Sequence, residues 1–270
     1  LLAACGKDYT SLPGSSEGGG NSSTDTQTGV SACVAAPFGG GDGSLASPYL
    51  IATVCHLEKM AGTSTIWDKN FKMVGNIDLT GVTFEPEIDA FTGVFDGNGF
   101  TIQNWTTTVP FMIYSAGTIK NLHLSNIVLR FPGNSRGALL VGTHDVTGII
   151  QDSSVSGTIS ATGPSSPSFM GGIAGVNKGA ILRTSVNATV VGGESVGGAV
   201  GFNSGSVTQV AVVGTVTGQR SDVDATDGIG GLVGWNTGIL TNSYSQASLI
   251  GYRTVGGLVG QNSGTLNRCY

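Results

Sequence analysis

GGLVGWNTGIL at residues 230–240 is followed by GGLVGQNSGTL at 256–266, and two looser copies stand upstream, GGIAGVNKGAI at 171–181 and GGAVGFNSGSV at 197–207. Near-identical phrases at regular spacing mark a repeat architecture in which each copy lies above the one before. Set on the glycine that closes GGxxG, the anchors are Gly175, Gly201, Gly234 and Gly260, at steps of 26, 33 and 26 residues. A degenerate copy, GALLVG, places Gly142 one more long step upstream. The steps alternate, so every second turn carries an insertion, within ATGPSSPSF (161–169) and GQRSDVDATD (218–227). Pro, Ser, Asp and Gly make both insertions loop-like.

Inside each unit the pattern is fixed. Two residues past the anchor stand Asn177, Asn203, Asn236 and Asn262, and four past it Gly179, Gly205, Gly238 and Gly264. Apolar residues follow at Ile181, Val207, Leu240 and Leu266, and again at Val190, Val216 and Leu249, each of the latter preceded by Thr189, Thr215 or Ser248. Apolar–polar alternation over short stretches is the period of a strand, not of a helix. The pattern predicts an all-β chain, a right-handed parallel β-helix with three short strands per turn. Its corners would be Gly and Asn, with Gly supplying positive φ. Turns stacked at about 4.8 Å place like above like. The four asparagines are then a structural ladder, hydrogen-bonded from turn to turn, rather than a binding site.

The other end of the sequence supplies a cap. Thr53 is placed to N-cap a short helix with Val54, Leu57, Met60 and Ala61 on its apolar face and Gly62 ending it. Such a helix would cover the first rung, which is otherwise an open strand edge. The last repeat stops at Arg268-Cys269-Tyr270, within the second strand of a turn and without a cap. We therefore expect the native chain to continue, or its last rung to be covered by something else.

Composition narrows function by exclusion. The 270 residues include 45 glycines against 8 prolines, with 11% charged and 39% apolar. No every-third-residue glycine period supports a collagen helix. A net charge of −5 and a pI near 5.0 speak against a nucleic-acid partner. No apolar run reaches the roughly 18 residues of a membrane span. No phosphate-binding loop or GxSxG elbow occurs, and His56-Leu57-Glu58 lacks the second histidine of HExxH, so no cofactor, metal or catalytic residue is assigned. Asp222, Asp224 and Asp227 in the second insertion lack the glycine and spaced glutamate of a calcium loop. Asp78, Glu85, Glu87 and Asp89 read as a strand followed by a surface loop, and Asp96 as a turn residue in FDGNG. Should the chain be an enzyme, a polysaccharide lyase or hydrolase is the alternative, with Asp96 its carboxylate.

Residues 1–5 read Leu-Leu-Ala-Ala-Cys, and Leu2-Ala3-Ala4-Cys5 resembles the lipobox of bacterial lipoproteins. That resemblance implies cleavage before Cys5 and a lipid on its thiol. The polar stretch GKDYTSLPGSSEGGGNSSTDTQTG (6–29) that follows suits a flexible tether. Of the three remaining cysteines, Cys33 and Cys55 could form a disulfide at the start of the folded part, or each could simply be buried, and Cys269 is left over.

GGLVGWNTGILTNSY (230–244) and GGLVGQNSGTLNRCY (256–270) resemble the GLUG repeat of bacterial surface proteins, also found beside some IgA-cleaving metallopeptidases. GDGSLASPYLIATVCHLEKM (41–60) resembles the segment such proteins place ahead of their first turn. NFKMVGNIDLTG (70–81), FTGVFDGNGFTIQNW (91–105) and GTIKNLHLSNIVL (117–129) resemble the first rungs. The likeness spans about residues 40–270 and implies a fold more than an activity, since one solenoid hosts many functions. The resulting organisation is a signal-peptide end at 1–4, a lipidated tether at 5–29, a cap at 30–69, first rungs at 70–136 and repeats at 137–270.

Recognition falls to exposed features. One residue past the anchor run Val176, Phe202, Trp235 and Gln261. If that position points outward, Phe202 and Trp235, with Arg220, Asp222 and Asp224 of the second insertion, are the candidate ligand contacts, since loops on a rigid scaffold carry recognition; packing inward against a corner is the alternative. The expected protein is a lipid-anchored adhesion module or stalk of the bacterial cell envelope. It would be tied to the membrane through Cys5 and would hold a protein or glycan ligand on another surface.

Overall fold

The structure, a computed structural model, describes Cys33 and residues 37–132, 136–161, 169–219, 228–252 and 254–270. The proposed lipidation site Cys5, the tether, Arg220, Asp222, Asp224 and Asp227 lie outside these. The fold is a parallel β-solenoid with one short helix near its start. Strands of successive turns pair in parallel, building sheet A of nine strands, sheet B of eight, sheet C of six and sheet D of five. In the repeat region the chain visits them in the order D, C, A, B: Phe169–Gly171, Ala174–Asn177, Ala180–Leu182 and Ser185–Gly192 make one circuit.

The register follows the repeat. Val200 pairs with Val233 and Val233 with Val259 in sheet C, and Ile181, Val207, Leu240 and Leu266 align in sheet A. The degenerate copy belongs to the series, since Val141 pairs with Ala174. Both insertions fall at the same corner, between sheets B and D. The chain runs from Ala161 to Phe169 and from Gly218 to Ile229 there, but from Gly192 only to Ser195.

Three strands per turn fits the early rungs alone. Sheet D begins at Arg136–Ala138, so each GGxxG turn has four strands. The first glycine of each pair ends a strand of sheet D and the anchor glycine lies within a strand of sheet C. The phrase is thus the two-residue passage from one sheet to the other, which apolar periodicity alone does not reveal.

The corners differ from expectation too. None of the anchor glycines has positive φ. The left-handed corner between sheets A and B is instead occupied by Asn121, Asp152, Arg183, Gln209 and Asn242, with φ between 45° and 56°. Asn and Asp tolerate that region, but Arg and Gln do so at a cost. Stacking helps at Arg183, whose Nε and Nη2 donate to the Asp152 carboxylate one turn below at 2.5 and 2.7 Å.

The core tapers along the axis. Phe71, Phe91, Phe95, Trp105 and Phe111 fill the first rungs, and Ile, Val, Leu, Met and Ala fill the repeats. The two buried indoles are satisfied: Trp67 Nε1 donates to Met60 O and Trp105 Nε1 to Phe84 O, both at 2.8 Å. Helix α1, Val54–Ala61, starts at Thr53, whose Oγ1 accepts from the His56 N–H at 3.3 Å. Its Leu57 and Met60 join Ile51, Phe71 and Met73 in the core, which seats the helix at the start of the solenoid. Cys55 is buried on α1 and is joined to Cys33 by a disulfide. Cys269 is a free thiol.

Candidate binding surface

Asn177, Asn203, Asn236 and Asn262 form one column at the end of sheet C. The Nδ2 of Asn177, Asn203 and Asn236 donates to the Oδ1 of the next Asn at 2.7 Å, and all four donate to the carbonyl two residues ahead at 3.3 Å. Asn177, Asn203 and Asn236 are fully buried, out of a ligand's reach, and only Asn262 in the last turn is exposed.

The neighbouring column is different. Val176, Phe202, Trp235 and Gln261 pair rung to rung. Val176 is buried, whereas Phe202 and Trp235 are half-buried and keep part of their rings in solvent. Their centroids are 5.1 Å apart, edge to face. Phe169, in the sequence the last residue of the first insertion, is the opening residue of a sheet D strand and lies 5.4 Å from Phe202. Three aromatic rings thus make a continuous half-exposed row at the seam of sheets C and D. Phe169 went unrecognised because it adjoins a run of Pro and Ser; the step-length difference that located the insertion also bounds where the next strand must begin. Each ring pair in such a geometry adds about 0.5–1.5 kcal/mol beyond area burial, so the row is a firm platform.

The acidic residues hold the fold. Asp78 accepts from Thr80, Gln103 and Asn104, and these hydrogen bonds, Thr80 first, keep its carboxyl well below the usual range. Glu85 accepts from the Thr107 and Thr108 hydroxyls and the Thr108 N–H, tying the 79–90 segment to the next rung. Asp96 ends a sheet A strand, and its Oδ1 accepts from the Asn98 N–H at 2.8 Å and Asn121 Nδ2 at 3.0 Å. Burial acts to raise its pKa, but these bonds and Lys120 at 3.4 Å outweigh it, and the net direction is down. Asp96 is therefore an ionised acceptor, not a proton donor. Cys33, Cys55 and Glu58 lie together, but the disulfide removes both thiolates from metal chemistry.

Sequence reasoning missed His144. It stands in the asparagine column, paired with Asn177 above and Ser115 below, and is fully buried.

No family model matches the chain. A stretch of it is 32% identical over 140 residues to halomucin of Haloquadratum walsbyi, an alignment covering 44% of this chain and 2% of that protein. The chain thus corresponds to a small fraction of that relative's length. In fold it is similar to the crystal structure of "a putative immunoglobulin A1 protease" from Bacteroides ovatus, with a TM-score of 0.74 and 20% identity, over 86% of this chain and 77% of that one.

Proposed function

We propose that this chain is the binding part of a cell-surface or secreted protein, a rigid solenoid that presents Phe169, Phe202 and Trp235 to a protein or glycan ligand. The observation that carries the reading is the aromatic row itself. Half-exposed aromatics on a regular sheet, beside two insertions at one corner, have the composition of interaction hot spots. The extracellular setting is supported by the Cys33–Cys55 disulfide, since disulfides persist in oxidising compartments. The likeness to halomucin and the lipobox-like start point the same way. In this reading Cys5 carries the lipid and residues 5–29 hold the solenoid off a bacterial membrane, as a stalk or adhesion module.

The test is a panel of immobilised glycans and extracellular-matrix proteins probed with the intact chain and with a Phe202→Ala/Trp235→Ala double variant. Removing two central rings from an interface typically costs at least about 2 kcal/mol, roughly thirty-fold in affinity. Both rings already sit partly in solvent, so the variant should keep its far-UV circular dichroism. Retention of full binding by the folded double variant removes the aromatic row from the proposal.

A further inference from the structure

A concave feature lies ahead of the repeats, among the first rungs, on the outer face of sheet A. Lys72, Asp96 and Lys120 pair rung to rung across three adjacent strands and form a column of alternating charge. Residues 39–48 fold back beside this column as a wall. The Gly39 N–H donates to Leu50 O at 3.1 Å and the Leu50 N–H to Gly40 O at 2.9 Å. Asn70 grips Gly43 O through its backbone N–H and its Nδ2, both at 3.0 Å. Gly41, at φ 82°, runs so close to the chain that a Cβ there would sit 1.9 Å from Pro48 O. The wall is thus fixed before any ligand arrives.

Between wall and column is a cleft of about 500 Å³, within the usual range for small-ligand sites. Its wall is apolar, Leu45, Pro48 and Leu50, and Leu45 is 82% exposed at the lip. Its floor carries Lys72, Asp96 and Lys120. Lys120 is engaged with Asp96, whereas Lys72 makes no ion pair among the described residues. In a chain of net charge −5, the floor is a local positive spot with one uncompensated ammonium beside a carboxylate that can only accept.

We propose that this cleft binds an acidic saccharide, a sugar ring that carries a carboxylate or a sulfate ester. The anion meets Lys72, neighbouring hydroxyls donate to Asp96, and the C–H face of the ring packs on Leu45, Pro48 and Leu50. An acidic peptide supplies the anion but not the adjacent hydroxyls that could add to the Asn98, Asn121 and Lys120 contacts Asp96 already has. The site is separate from the aromatic row and does not depend on it.

Titration calorimetry of the intact chain with a trigalacturonate, a sulfated chondroitin disaccharide, maltotriose and a short polyglutamate decides the matter. Binding of either acidic saccharide, at least ten-fold tighter than maltotriose, supports the proposal, and the arm that responds identifies carboxylate or sulfate. Lys72→Met keeps the aliphatic stem and should weaken that binding ten-fold or more, while Tyr252→Ala, on an exposed ring near the last turn and outside both candidate sites, leaves it unchanged. Three results overturn the proposal: no response to either acidic saccharide, equal or tighter binding of polyglutamate, or full affinity in folded Lys72→Met.

Discussion

Replacing Gly234 with alanine is expected to destabilise the solenoid by about 3 kcal/mol, the upper end of what overpacking costs. A Cβ built there would lie 2.7 Å from Gly201 O, 2.7 Å from Val196 N and 2.8 Å from Ser195 C. All three are backbone atoms. Gly201 belongs to the strand below in sheet C, and Ser195 and Val196 to the neighbouring strand of sheet D. A flexible side chain could swing aside, but a backbone held in two ladders cannot move without breaking pairs. The same crowding recurs at Gly201 against Met170 N and Phe169 C, and at Gly260 against Ile229 N. Gly75 is the control: nothing lies within 4 Å of a Cβ there and its φ is ordinary, so Gly75→Ala should change stability by less than about 0.5 kcal/mol. Urea midpoints followed by circular dichroism compare the two. Equal midpoints would mean that sheets C and D are not packed backbone to backbone.

That packing explains what the sequence does and does not disclose. Repeated GGxxG reveals period and register directly, because stacking forces equivalent residues into columns, and Gly175, Gly201, Gly234 and Gly260 do align. It conceals the reason for the glycines. A residue chosen for φ and one chosen for want of space look alike in one sequence, and here space decides. The reverse holds at the corner between sheets A and B. Arg183 and Gln209 adopt positive φ although their side chains favour it little, since neighbouring turns already fix the backbone there. The fourth sheet was hidden because strands of two or three residues, such as Ile229–Gly230, are shorter than any alternation can register. The candidate sites divide in the same way. Phe202 and Trp235 were legible because they share a repeat position. The acidic-saccharide cleft was not, because Leu45 and Lys120 meet only when three turns stack against a folded-back segment.

Acid should loosen the solenoid between pH 6.5 and 4, and His144→Asn should remove most of that loss. In the asparagine column each Nδ2 points to the following turn, so the first member, Asn177, has no donor for its Oδ1. His144 occupies the turn below and neither of its ring nitrogens is hydrogen-bonded; Ser115 Oγ, one turn further down, is orphaned as well. Burial pushes the His144 pKa down to about 4, and the nearby backbone of Ala180, Gly148 and Ser115 offsets this only in part. The native ring is therefore neutral, while the unfolded ring titrates at its ordinary 6.5. Above pH 6.5 both are neutral and stability is level. As pH falls from 6.5 to 4 the unfolded chain alone takes up the proton, and about 3 kcal/mol is lost, levelling below 4. His56, with its pKa also lowered by burial and by Lys59, adds to the decline in this window. Asp145 and Asp152, held low by Tyr114 and Arg183 respectively, lose their contribution only at more acid pH. Asparagine at 144 would extend the ladder by one donor onto Asn177 Oδ1 and replace two orphan ring nitrogens by one Oδ1 above the Ser115 hydroxyl, a gain of about 1 kcal/mol at pH 7. The smaller side chain leaves room that Gly148 can fill. A Cβ on Gly148 lies 2.3 Å from the ring carbon Cε1 of His144, so alanine there clashes in the native protein but fits once the ring is gone. Urea midpoints at pH 7.5 and 4.5 for the native chain, His144→Asn and His144→Asn/Gly148→Ala test the argument. A fall of the same size in all three would show that His144 is not the group that makes the column sensitive to acid.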